Sequence, residues 1–77
     1  MVKRCEYKGH VFWITIDEAM NTQSGQGGYI AYVSDTEPTY LVYGTAIRQG
    51  EQLVIFGDQF AALTNARILK QGEIDRM

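Results

Sequence analysis

The sequence predicts an α+β fold, a four-stranded and mainly antiparallel sheet packed on one C-terminal helix in the order β-β-β-β-α. Three observations carry this. One stretch after Gly57 has helical periodicity behind a capping residue. Everything before it reads as short β-branched and aromatic runs separated by turn residues. The connections between those runs have the length and glycine content of hairpins. With 77 residues the chain has room for a single domain, 1–77. A chain this short buries only about 60% of the surface it exposes when unfolded, so its stability is modest.

The N-terminal residues include Lys3, Arg4 and Lys8 and read as a solvated, locally positive end. Residues 10–16 carry the strongest strand signal, with Phe12, Ile14 and Ile16 on one face and Val11, Trp13 and Thr15 on the other. A polar connection follows, and the glycines of 24–28 make it a loop. A second strand spans 29–34, with Tyr29, Ala31 and Val33 on one face and Ile30, Tyr32 and Ser34 on the other. Pro38 places a turn over 35–39, because it presets its own φ and pushes Glu37 toward extended geometry. A third strand over 40–47 bends at Gly44. Residues 48–51 form a hairpin connection with Gly50 in the left-handed position, and a fourth strand covers 53–56.

Asp58 is the expected helix N-cap, its carboxylate meeting the unpaired N–H groups of the first turn. Phe60, Leu63, Ala66 and Leu69, with Ala62 and Ile74, fall within about half the helix circumference and form the stripe that faces the sheet. Gly72 after Lys70 and Gln71 has the character of a C-terminal stop, giving a helix over 59–71. Ile74 stays on the stripe if the helix runs one turn further.

Apolar residues make up 45% of the chain and charged ones 21%, values that predict a packed core and exclude disorder. The net charge of −2 and pI near 5.2 lack the broad basic excess that phosphate-backbone binding uses. The single Cys5 has no internal disulfide partner. Apolar runs are short, as at 11–14 and 53–56, too short for a signal peptide or a membrane span. The expected setting is the cytoplasm, most naturally of a bacterium or phage.

No constellation of residues calls for an enzyme, a metal or a cofactor. His10 is the only histidine and no nucleophile has a positional claim on it. Cys5 and His10 offer two metal ligands where structural zinc takes four. The carboxylates Asp17, Glu18, Asp35, Glu37 and Asp58 lie at element ends, where converging acids could hold a divalent cation but where solvated acids and caps also sit. Gly25 and Gly27 would need a third glycine at position 30 for a dinucleotide fingerprint, and Ile30 stands there.

The aromatics are more informative. One helix covers one face of a sheet, so the other face is exposed, self-associated or in contact with a partner. With Phe12, Ile14 and Ile16 toward the helix, Trp13, Tyr32 and Tyr43 become the candidate binding residues of the open face. An aromatic sheet face also suits single-stranded RNA. The segment 28–33 echoes the RNA-recognition signature, but its aromatics are three apart and Gly27 stands where a basic residue belongs.

Two segments resemble the HicB-like antitoxin group. Gly27, Gly28, Tyr29, Ile30 and Ala31, with Asp35 shortly after, are similar to that group's glycine-glycine-tyrosine-x-alanine strand. Gly57 and Asp58, then Ala62-Leu63 and Asn65-Ala66, are similar to its helix entry. Tyr7 to His10 and Ile74-Asp75 also look like short uncharacterised bacterial proteins of this general architecture. The proline-leucine-proline-glycine stretch that the group carries after the aspartate is absent, and residues 40–47 supply an additional strand. The resemblance implies a partial ribonuclease-H-like sheet and helix and a non-enzymatic role in protein binding, with self-association as the other form of partnership. The alternative is an RNA-binding or degenerate nuclease-like domain.

Overall fold

The computed structural model describes residues 1–20, 27–39 and 43–77. Its main sheet has four strands in the order β1 (Val2–Tyr7), β2 (His10–Met20), β3 (Gly27–Ser34) and β4 (Thr45–Ala46), every pair antiparallel. A two-stranded hairpin, β5 (Arg48–Gln49) and β6 (Gln52–Leu53), stands apart from it, and α1 (Gln59–Asp75) closes the fold. The four-stranded antiparallel sheet and the C-terminal helix are those the sequence predicts, but the four strands are not the same four.

The first difference is β1. The charged N-terminal segment is a strand because Lys8 and Gly9, with φ of 50° and 81°, make a two-residue turn that folds it back on β2. Positive φ at both central residues matches the right-handed twist of the flanking strands. Pairing then runs from Tyr7↔His10 to Val2↔Thr15.

The second difference lies along the outer edge of β3. The two strands expected over 40–47 and 53–56 are not neighbours in the sheet. They occupy successive stretches of one edge. Thr45 and Ala46 pair with Val33 and Tyr32, and Ile47 N–H donates to the Ala31 carbonyl at 3.0 Å. The β5–β6 hairpin then loops out, closed by Val54 N–H to the Ile47 carbonyl at 3.1 Å. The chain rejoins β3 at Phe56, which exchanges bonds of 2.8 and 2.9 Å with Tyr29. Gly28 permits this return, since a side chain there would meet Ile55 and lie 3.0 Å from the Phe56 carbonyl oxygen. Gly50, at φ +65°, turns the small hairpin as expected. Of the expected third strand, residues 40–42 lie outside the described residues, as do 21–26 of the glycine loop.

The helix runs four residues past Gln71 and takes Gly72 inside it. Asp58 is its N-cap, accepting from Ala61 N–H at 2.7 Å, an interaction of about 1 kcal/mol. The helix direction is as predicted, but the margins of its stripe are not buried. Ala62, Ala66 and Ile74 are buried and Leu63 packs against them, whereas Phe60 and Leu69 are 77% and 49% exposed. Those two residues lie nine apart, half a turn around the axis at about 100° per residue, and so fall on opposite flanks of the buried row.

Under the helix, Phe12, Ile14, Ile16 and Ala31 complete the core, with Cys5, Tyr7, Tyr29, Val33, Ile47 and Phe56 around it. Polar ties fasten the helix ends. Lys70, in line with the alanines, holds Asp35 at 2.6 Å. The last helical turn has no basic residue of its own. Lys8 of the hairpin turn supplies that charge to Asp75 at 2.6 Å, beside the Tyr7 hydroxyl at 3.1 Å. The Lys8 hydrogen bond holds the Asp75 carboxyl below the usual carboxylate range, and the same bond raises Lys8. No helix among the described residues is long and apolar enough to cross a membrane.

Candidate functional site

Strand register assigns the side chains to faces, because directly paired residues share one. Opposite the helix lie Val2, Arg4 and Glu6 of β1, Val11, Trp13, Thr15 and Asp17 of β2, Ile30, Tyr32 and Ser34 of β3, and Ala46 of β4. Trp13 stands opposite Arg4 on one side and Ser34 on the other, while Tyr32 stands opposite Thr15. Tyr43, just before β4, meets Tyr32 edge-on with ring centroids 5.3 Å apart at 65°, a favoured aromatic geometry. The structure therefore gathers Trp13, Tyr32 and Tyr43 on the face away from the helix.

That face is not bare. The connection after β3 turns at Ser34, whose hydroxyl donates to the Thr36 carbonyl at 2.7 Å. It then brings Pro38, Thr39 and Tyr43 against the sheet, around a hollow of about 280 Å³ that also touches Val2, Thr15 and Asp17. All three candidate aromatics are half-buried. The large apolar side chains that are exposed, Leu53, Ile55, Phe60, Ile68 and Leu69, belong to the hairpin region and the helix, with Val2 alone among the paired strand residues of this face.

Thr15 is the residue that sequence reasoning passed over. It is 5% exposed, lines the hollow, and its Oγ1 has no hydrogen-bond partner among the described residues. A buried hydroxyl left unpaired is destabilising. Thr15→Val is therefore expected to raise stability by about 1 kcal/mol in urea unfolding, and a lower midpoint would show that the hydroxyl is satisfied.

The other candidates do not assemble. Cys5 stands opposite Phe12, and His10 opposite Tyr7. Among the described residues no group of three or more His, Cys, Asp and Glu is placed to hold a metal. Asp35 pairs with Lys70, and Asp58 caps the helix. A hollow of about 540 Å³ lies beside Glu18, Gly27, Gly28, Tyr29 and Gly57. Glu18 gives it an acidic wall, and the Asp58 carboxylate already occupies the helix N-terminus beside it, so it is a poor seat for phosphate. No protein-family profile matches the chain, and no curated protein and no solved structure matches it significantly.

Proposed function

We propose that this chain is a non-enzymatic protein-binding module, related to the HicB-like antitoxins, that takes its partner on the face opposite the helix. The observation that carries this reading is that Trp13, Tyr32 and Tyr43 share one sheet face, beside a hollow lined by Tyr43 and the unpaired Thr15 hydroxyl. Tryptophan and tyrosine are the side chains on which protein interfaces concentrate their binding energy. A partner's donor or acceptor entering the hollow would satisfy Thr15. The kinship rests on the two resembling segments, which begin β3 and α1. The same face carries Glu6 and Asp17 against Arg4, a balance that favours a protein partner over a phosphate backbone.

The test is affinity capture from the source cell, then titration of the recovered partner. Trp13→Ala is expected to weaken binding by about thirtyfold while far-UV circular dichroism is unchanged. Undiminished binding by Trp13→Ala would exclude this face. Salt-dependent binding of single-stranded RNA, without a protein partner, would replace the reading with an RNA-binding one.

A further inference from the structure

Among the described residues β1 is an edge strand, paired with β2 on one side only. Which of its main-chain groups face outward follows from the N-terminal pair. Met1 and Ile16 exchange two bonds, at 2.8 and 3.1 Å, and hydrogen-bonded and non-hydrogen-bonded pairs alternate along an antiparallel ladder. Lys3, Cys5 and Tyr7 therefore bond to β2, and the N–H and C=O groups of Val2, Arg4 and Glu6 point away from the sheet. An unpaired edge of this kind is a template for another strand.

We infer that the occupant of this edge is the β1 strand of a second copy, paired antiparallel about a two-fold axis at Cys5. The main chain and the charges select the same register. Outward-facing residues pair only with outward-facing residues, so Arg4 meets Arg4, Glu6 or Val2 of the second copy. Arg4 on Arg4 and Glu6 on Glu6 set like charges opposite each other, which is destabilising. The remaining charge-matched register sets Arg4 opposite Glu6 of the second copy and, by symmetry, Glu6 opposite its Arg4. Both side chains are free for this, at 60% and 58% exposure, and within one chain their tie is loose, 3.9 Å.

The same register places Lys3 opposite Tyr7 of the second copy, beside the Asp75 carboxylate that this hydroxyl holds. It brings the two Cys5 residues together as a non-hydrogen-bonded pair, with Cα atoms about 4.5 Å apart, within disulfide reach. The edge is also unfinished in the single chain. In the hollow along it, beside Cys5 and Gln71, Arg67 Nε is buried without a hydrogen-bond partner among the described residues. The resulting sheet is continuous through both copies, with both aromatic faces on one side. This inference does not rest on the proposed partner: the β1 edge pairs through its main chain, although the Arg4 and Glu6 side chains project onto the face that carries Trp13.

Sedimentation equilibrium across a concentration series tests it. The full chain is expected to dimerise reversibly. Arg4→Glu and Glu6→Arg, which each make both cross-axis pairs repulsive, weaken the dimer by about tenfold. The double variant R4E/E6R, which restores opposite charges with their positions exchanged, recovers it. Diamide, which takes up the two electrons and two protons released when two Cys5 thiols join, gives a reducible covalent dimer that Cys5→Ser cannot form. A chain monomeric at every concentration overturns the inference. So does a dimer indifferent to Arg4→Glu, or one not recovered in a double variant that circular dichroism shows to be folded.

Discussion

Phe12→Ala is expected to lower stability by about 3–5 kcal/mol. A chain of this length has on the order of 4–11 kcal/mol in total, so a substantial unfolded fraction at room temperature is the expected result. Phe12 is 1% exposed and is the largest of the fully buried side chains. Around it the core includes Ala31, Ala62 and Ala66, whose short side chains have no atoms to swing into the space a phenyl ring leaves. The cavity therefore stays open, and the full penalty of lost contacts applies. Urea unfolding followed by fluorescence of Trp13, the single tryptophan, measures this as a lower midpoint at similar slope. Phe12→Leu, which keeps most of the volume, is expected to lose only about 1 kcal/mol. Equal losses in the two variants would show that the ring does not fill the core.

Gly44→Ala is expected to lose about 3 kcal/mol, the second largest effect, for two separable reasons. Gly44 has φ of +105°, a conformation that L residues rarely adopt. An added Cβ would also stand 2.7 Å from the Val33 carbonyl carbon and 2.8 Å from Ser34 Cβ. The carbonyl belongs to β3 and cannot swing away as a flexible side chain could. Gly50→Ala isolates the first effect, since φ there is +65° but nothing lies within 4 Å of the new atom, and about 1 kcal/mol is expected. Equal losses in both would mean that the close approach to Val33 is relieved elsewhere. Because Gly44 follows Tyr43, the substitution should also separate Tyr43 from Tyr32, read as lost ring-current shifts in the tyrosine NMR signals.

Much of this fold is legible in local sequence. The alternation of Phe12, Ile14 and Ile16 predicts which face of β2 is buried, and all three are buried. Asp58 predicts the helix start, and Gly50 the small hairpin. These features answer to local physics, a side-chain period of two, an unpaired first turn or a positive φ. That Tyr32 shares the face of Trp13 depends on the β2–β3 register, which sets Thr15 opposite Tyr32 and Trp13 opposite Ser34. Tyr43 joins them only because the connection after β3 folds back over the sheet.

Local pattern thus sets the class of the fold, the buried side of its central strand and the direction of the helix stripe. Tertiary structure alone decided the rest. The composition of β1 is that of a solvated end, and it became a strand because β2 was there to receive it. The segments around Ala46 and Phe56 each have strand character, but a sequence pattern does not say that both lie along one edge of β3. Gly72 carries a stop signal worth about 1 kcal/mol, and the packing of Ile74 against the core overrode it. Phe60 and Leu69 satisfy the periodicity of a buried stripe, yet they stand at its two margins and are left in solvent. In each case the deciding interaction joins residues far apart in the chain, and local pattern carries no record of it.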